Sequence, residues 1–346
     1  MKSPEPLTIV QLIATPGGNW GGMEKHTADL SEELACFGHK VHVLAHPEYK
    51  DRFSPAIAFH PVPFHWSRRN PLLKLRVRQI LRKLSAHVVH AQGNKAAALI
   101  AGPESRAGVT VGTIHGTKSS HRYFDKLDGV IAVSSGIYRA LSHPHTKLIH
   151  NGVKPRQNGN KTTHAVPETQ AFAVAVGRLE PVKQFDKLIT AWATLKPELP
   201  LYILGDGSEA GRLTTQIQRL GADSLVKLTG YEENPAAWLQ QASVCVISSE
   251  REGFPYVLVE ALLARCPVLS TPVNGALELL PAESLAASNE PDALQALLSE
   301  QLGDLESLKK SQEVCFERAL KELTLEAMAS RTEAFYCELL KAPHRV

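Results

Sequence analysis

The sequence predicts an α/β chain built from two doubly wound domains that face one another across a cleft, and three observations point there. With 346 residues it exceeds the size at which one hydrophobic core keeps growing, so two domains are the natural division. Short apolar runs alternate with longer amphipathic ones along the whole length, the pattern of parallel strands buried between covering helices. The charge divides as well: residues 1–155 hold 20 Lys+Arg against 10 Asp+Glu, and the rest holds 18 against 25. Halves so different suggest different partners.

In the first half the strand candidates are TIVQLIA (8–14), KVHVLAH (40–46), HVVHAQ (87–92), VTVGTIH (109–115), GVIAVS (129–134) and KLIHNGV (147–153). In the second they are FAVAVGR (172–178), LYILGDG (201–207), VKLTG (226–230), VCVISS (244–249) and CPVLST (266–271). Amphipathic spacing predicts helices over 23–37, 183–195, 208–220 and 255–265, and a helical region after 290. RQNGNKTTHAVPETQ is polar, holds Gly and Pro and lacks periodicity. It reads as a linker at 156–170 between a domain at 1–155 and one at 171–324, with a last helix of about 325–346 packing back on the first domain.

The five cysteines are scattered and form no C-x-x-C pair, which fits a reducing cytoplasm and argues against a zinc or disulfide framework. MKSPEPLTIVQLIA enters a strand pattern at once, without the layout of a signal peptide, and no apolar run approaches the roughly 18 residues that span a bilayer. No nucleic-acid partner is expected. One segment, RRNPLLKLRVRQILRK (68–83), carries seven basic residues and no acidic one. As a helix after Pro71 it gathers Leu73, Val77, Ile80, Leu81 and Leu84 on one face. Its cationic remainder is either a solvated helix face or a surface for an anionic inner leaflet or glycolipid, which would make the protein peripheral on the cytoplasmic side.

Several chemically unusual residues fall at strand ends, where ligands sit in such sheets. Gly17, Gly18, Gly21 and Gly22 lie between the first strand and its helix, a place where amides can approach a phosphate, or simply a flexible turn. His115 ends TIHG and is either a cleft residue or a structural one. Arg178 and Lys183 in VGRLEPVKQFDKL sit five apart at a strand-to-helix turn, suited to an anionic diphosphate or to surface ion pairs. In EREGFPYVLVEA, Gly253 and Phe254 lead into a helix start at Pro255, which offers free amides to an anion. Glu252 stands just before that start. Glu260 stands inside the helix with Tyr256, Val257, Leu263 and Ala264 as its face neighbours, so this carboxylate needs a polar partner.

EGFPYVLVEA, with Glu252 and Glu260 eight positions apart, resembles the E-x₇-E motif of the retaining GT-B glycosyltransferases of the group 1 or family 4 type. VGRLEPVKQFDKLI, LYILGDGSE, LTGY, GGMEKH followed by GHKVHVL, and IHNGV stand in that family's order, so the likeness spans nearly the whole chain. It departs in VISSEREGFP, where a proline commonly precedes the serine. The resemblance implies GT-B architecture, two Rossmann-like domains of which the first is acceptor-side and the second binds a nucleotide sugar. It further implies that Glu260 binds the ribose and Glu252 lies by the donor sugar. Arg178 and Lys183 would hold the diphosphate, Gly21 and Gly22 lie near the phosphates, His115 near the transferred sugar and Tyr231 near the base. Gly253 and Phe254 are placed with the nucleotide.

The activity so implied is transfer of a hexose, with retention, from a nucleotide diphosphate sugar to a saccharide or glycolipid acceptor, as in lipopolysaccharide-core or surface polysaccharide assembly. A UDP-sugar is expected ahead of a GDP-sugar, as substrate rather than cofactor. The chain has no D-x-D, which removes the carboxylate pair of metal-dependent glycosyltransferases and makes transfer without a metal the expectation. Two rivals stand beside it. An NAD-dependent oxidoreductase would use the first domain with Glu48 as ribose ligand, against glycine spacing that is not G-x-G-x-x-G. A non-catalytic binder of sugar nucleotides or glycans would keep the cleft without turnover.

Overall fold

The computed structural model describes residues 5–18, 20–101, 108–116, 121–154, 162–167 and 171–342. The chain forms two compact units, Met1–Gly152 with Leu325–Val346, and Val153–Thr324. The predicted linker at 156–170 lies largely outside the described residues. Its described piece is held by the second unit, because the Glu232 carboxylate accepts the amides of Thr163 at 2.9 Å and His164 at 3.1 Å.

The first unit runs β1 (Thr8–Ile13), α1 (Gly22–Cys36), β2 (Lys40–Ala45), β3 (Ala58–Pro61), α2 (Pro71–Leu84), β4 (Val88–Gln92), α3 (Gly93–Ile100), β5 (Val109–Ile114), β6 (Gly129–Ala132), α4 (Ser135–Arg139) and β7 (Thr146–Leu148). Among the described residues these strands make a seven-stranded parallel sheet in the order β3-β2-β1-β4-β5-β6-β7. β4 and β5 are buried along their full length, as strands covered on both faces must be. Helix α2 starts where Asn70 accepts the amides of Leu72 and Leu73 and Pro71 occupies the first turn, then buries Leu73, Val77 and Leu81.

The second unit runs β8 (Ala173–Val176), α5 (Phe185–Leu195), β9 (Leu201–Leu204), α6 (Ala210–Arg219), β10 (Val226–Gly230), α7 (Pro235–Gln241), β11 (Val244–Ile247), α8 (Tyr256–Leu263), β12 (Val268–Ser270), α9 (Ala276–Leu279), α10 (Pro291–Gln301), α11 (Leu305–Ser311) and α12 (Glu313–Glu322). Its five strands are parallel in the order β10-β9-β8-β11-β12. The last helix, α13 (Leu325–Lys341), belongs to the first unit, where Leu325, Met328, Phe335, Tyr336 and Leu339 join the hydrophobic core.

Three strands differ from the sequence reading. The strand read at 147–153 covers only Thr146–Leu148, so His150 and Asn151 are buried in the segment beyond it. β3 went unpredicted because AFHP is short and ends in proline, tolerable only at the sheet edge it occupies. The strand read at 201–207 stops at Leu204 for a local reason: Gly205 takes φ +145°, and a Cβ there would overlap the carbonyl oxygen of Gly177. Backbone from the β8 and β9 ends can meet only because no side chain intervenes. Gly205→Ala is therefore expected to cost at least about 3 kcal/mol of unfolding free energy. Gly211→Ala, on α6 with open space around it, should be neutral or gain up to about 1 kcal/mol. Urea melts of the two variants check this, and equal midpoints would contradict it.

Candidate active site

In the second unit the site residues lie on loops at the carboxyl edge of the sheet. β8 and β11 pair directly, Val244 with Ala173 and Cys245 with Val174, so the loops that follow them leave the sheet side by side. They are joined by backbone and side chain: Glu250 N donates to Val182 O at 2.9 Å, and Ser248 Oγ to Lys183 O at 2.8 Å. This seam brings the Lys183 ammonium to 2.6 Å from Glu252 Oε1, with side chains only 19% and 17% exposed. Ser249 Oγ donates to the same oxygen at 2.7 Å, Asn274 Nδ2 donates to the Glu252 carbonyl at 3.2 Å, and Thr271 Oγ1 donates to Ser249 O at 2.7 Å. Glu252 Oε2 has no hydrogen-bond partner among the described residues. A charge-assisted pair so sheltered contributes about 1.5–3 kcal/mol and fixes both loops.

Arg178 is exposed beside this seam, and its side chain makes no hydrogen bond or ion pair among the described residues. Helix α8 begins at Tyr256, right after Pro255. Glu260 lies one turn further, about 6 Å along the axis. The helix buries Val257, Leu258, Val259, Ala261 and Leu262 and leaves Tyr256, Glu260 and Leu263 half-buried. Glu260, Leu263 and Ala264 border a shallow pocket, partly open to solvent, whose other walls include Lys154, Pro235 and Gln240. The carboxylate that looked misplaced in an apolar run thus borders a surface pocket, with Lys154 and Gln240 among its walls, rather than the core. Phe254 is 4% exposed, with its ring against Gly275, so it supports the loop from beneath, and Tyr231, 61% exposed, follows β10 on the surface.

In the first unit two amides of the glycine segment are taken up by carboxylates. Gly18 N donates to Glu48 Oε2 at 2.7 Å and Gly21 N to Glu24 Oε2 at 3.1 Å, while Gly22 opens α1. Glu48, the ribose ligand of the oxidoreductase rival, is occupied in holding that turn. His115 follows β5 with Nε2 at 2.7 Å from Gln92 Oε1, and its ring meets that of His26 edge-on at 4.7 Å. His26 Nδ1 bonds Asn151 Oδ1 at 3.1 Å. The buried His90 bonds Tyr336 and Thr113.

The sequence matches two family models, Glycosyltransferase Family 4 over residues 20–157 and Glycosyl transferases group 1 over residues 157–321. The chain belongs to the group 1 glycosyltransferases. This glycosyltransferase is 32% identical over 141 residues to the N-acetylgalactosamine-N,N'-diacetylbacillosaminyl-diphospho-undecaprenol 4-alpha-N-acetylgalactosaminyltransferase of Campylobacter jejuni, a match covering 40% of this chain and 39% of that one. It is 23% identical over 300 residues to the N-acetyl-alpha-D-glucosaminyl L-malate synthase of Bacillus anthracis, covering 75% and 78%. Its fold is that of a Rickettsia africae glycosyltransferase (TM-score 0.81, 17% identity, 98% of this chain and 100% of that one). It also matches Anabaena HepE, solved with UDP-glucose (TM-score 0.77, 20% identity, 96% and 100%). Two Rossmann-like α/β units in a GT-B chain are what these structures share with it.

Of the residues singled out from sequence, the structure brings Lys183 and Glu252 into contact within the second unit and sets Glu260 on a pocket of the same unit. Sequence reading missed Ser249, Asn274 and Thr271. Their only local signal was position at the ends of β11 and β12, and their role depends on two loops meeting. It also missed Gln92, which a strand pattern reads as ordinary polar alternation.

Burial keeps His26, His90 and His115 of the first unit neutral. It lowers His26 to about 4 and His90 to about 3, and it sets His115 well below the usual value, with the neighbouring histidines adding to the effect. The unfolded chain takes up these protons below pH 6.5 and the native chain does not, so stability is present above that pH and is lost as pH falls toward 4. Each histidine should contribute a loss of about 1.4 kcal/mol per pH unit in that window. Urea midpoints at pH 7 and pH 5 test this, and a midpoint that does not move would refute it.

Proposed function

We propose that this glycosyltransferase moves a hexose, with retention and without a metal ion, from a nucleoside diphosphate sugar to a saccharide or glycolipid acceptor. The observation that carries the reading is the Lys183–Glu252 contact at the carboxyl edge of the second sheet, with exposed Arg178 beside it. Lys183 spends one of its three N–H donors on Glu252, which leaves two for a diphosphate oxygen. Glu252 Oε1 is saturated, so Oε2 is the acceptor offered to a donor-sugar hydroxyl. Glu260 offers the pocket a carboxylate for the ribose hydroxyls, and His115 serves the transferred sugar.

In the reaction the bond between sugar C1 and the diphosphate oxygen breaks while the acceptor oxygen bonds C1 on the same face. The acceptor proton passes to an oxygen of the departing diphosphate. No side chain acts as covalent nucleophile. Arg178, Lys183 and the start of α8 meet the charge that develops on the leaving group, the largest contribution a protein makes to such a step. UDP is the favoured carrier, in keeping with the UDP-glucose held by Anabaena HepE, and a lipid-linked or polysaccharide acceptor accords with the Campylobacter relative, whose substrate is an undecaprenol diphosphate.

Glu260→Ala should weaken UDP binding tenfold to a hundredfold, roughly the loss of one charge-assisted bond, with an unchanged melting curve. Arg178→Ala should lower turnover by about 10²–10³ while the parent enzyme keeps its rate in EDTA. Undiminished UDP affinity in the first variant, or activity abolished by EDTA and restored by Mg²⁺ or Mn²⁺, would overturn this assignment.

The glycolipid reading has a surface to go with it. Among the described residues no helix is long and apolar enough to cross a membrane. Helix α2 instead exposes Leu72 (62%) and Leu75 (51%) among Arg76, Arg82 and Lys83, which are exposed too. Two leucines that insert and a ring of cations suit an anionic leaflet, each cation near it contributing about 1 kcal/mol. Full-length protein should sediment with vesicles containing anionic lipid, less so as salt rises, and not with neutral vesicles. Changing Arg76, Arg82 and Lys83 to Glu should abolish this without altering UDP affinity, and sedimentation equal to that of the parent would exclude the surface.

A further inference from the structure

A chain of buried hydrogen bonds runs through the first unit from α13 to His115. Tyr336 OH lies 2.6 Å from His90 Nδ1 and 3.4 Å from Gln11 Nε2; Gln11 Oε1 accepts from Gln92 Nε2 at 2.9 Å; Gln92 Oε1 lies 2.7 Å from His115 Nε2. At the other side of His90, Nε2 lies 2.7 Å from Thr113 Oγ1. Gln11, His90 and Tyr336 have no exposed surface and Gln92 has 1%. Water does not reach these groups, so each must find its partner within the set.

Such a chain can be satisfied in two directions, one with every proton reversed and both amides turned over. In one, His115 donates from Nε2 to a carbonyl oxygen. In the other, a Gln92 N–H donates to His115 and the ring carries its proton on Nδ1. The seat of the Gln92 amide decides between them. Its nitrogen is 3.5 Å from both ring nitrogens of His90. An in-plane approach at that distance would drive it into the Cε1–H, so the amide nitrogen lies over the ring face. That electron-rich face attracts N–H and repels a carbonyl oxygen. Gln92 therefore turns its oxygen to His115, Gln11 its oxygen to Gln92, and Tyr336 accepts from Gln11 while donating to His90 Nδ1.

We propose that Tyr336 is a positioning residue for the transfer reaction: by accepting from Gln11 and donating to His90 it supports the seat of the Gln92 amide on the His90 ring, and so holds His115 as its Nε2–H tautomer with the lone pair on Nδ1. The inference deepens the reading of His115 as the histidine that serves the transferred sugar, and rests on it for its consequence. An imidazole that presents a lone pair accepts from a hydroxyl, whereas one that presents N–H competes as a donor. The last helix of the chain, far along the sequence from the sugar-binding motifs, thereby sets what His115 offers a substrate. Its tyrosine hydroxyl is held neutral, because burial raises it far above the ordinary phenol range.

The test uses full-length, nucleotide-free protein labelled with ¹⁵N-histidine, in which long-range proton–nitrogen spectra report the tautomer and the His115→Ala variant assigns the signal. The parent should show His115 as Nε2–H alone. Tyr336→Phe, which keeps the ring in the core and removes only the hydroxyl, should give a mixture of tautomers. Gln11→Leu cuts the same chain at its middle link without touching α13 and should give the same mixture, so a folding defect in one variant leaves the other to decide. For both, transfer should show kcat about tenfold lower with KM for the nucleotide sugar nearly unchanged, a split that loss of packing would not produce. A parent His115 protonated on Nδ1, or a tautomer that neither variant shifts, overturns the proposal. Undiminished transfer by His115→Ala would instead overturn the role given to His115, while the spectra decide the hydrogen-bond chain independently.

Discussion

The parallel pairing of β8 with β11 is the contact on which the second unit's chemistry depends. The sheet order reverses at this pair, β9 and β10 extending to one side and β12 to the other. Ligands of such sheets sit at a switch point of this kind, and here the loops after the two central strands are tied together through Glu250 N to Val182 O and Ser248 Oγ to Lys183 O. Lys183 and Glu252, 69 positions apart, meet because of that pairing and through no local preference of their own. The close approach at Gly205 holds the β9 end against the β8 loop, and Asn274 and Thr271 hold the β12 end against the β11 loop. Four strand ends thus hold one ion pair.

The first unit reverses in the same way between β1 and β4, and there too the polar side chains gather. Gln11 lies on β1, Gln92 ends β4 and His115 follows β5, in adjacent parallel strands. The two units solve the problem of a polar site differently. In the second, a positive and a negative side chain neutralise each other, with both still partly exposed. In the first, neutral side chains are buried and their protons are ordered by one another. Desolvation that would be costly for ions is tolerable for imidazoles and amides that are fully paired.

Helix α8 shows where sequence reading reaches and where it stops. Its start after Pro255, its apolar character and the anomaly of Glu260 are all visible in EREGFPYVLVEA, because a helix repeats every 3.6 residues and one carboxylate in an apolar run must find a partner. That Glu260 borders a pocket with Pro235, Gln240 and Lys154 is not visible, since α7 and residue 154 reach it from elsewhere in the chain. Arg178 and Lys183 read alike, as two cations at one turn. The structure separates them: Lys183 is engaged with Glu252, whereas Arg178 stays exposed.

By itself the sequence determined the alternation of strands and helices, the division of charge between the halves, the motif-bearing strand ends and the basic stripe of α2, because these depend on residue periodicity and on local turn chemistry. Only the tertiary structure decided which strand ends are neighbours, that Ser249 and Asn274 brace Glu252, that Thr163 and His164 are tied to Glu232, and that α13 sends Tyr336 into the polar core of the first unit. The physical reason is the same in each case. A hydrogen bond between residues as distant as Tyr336 and His90 leaves no mark on the periodicity of either segment, and it comes into being only when sheet order and burial bring the two together where water cannot compete.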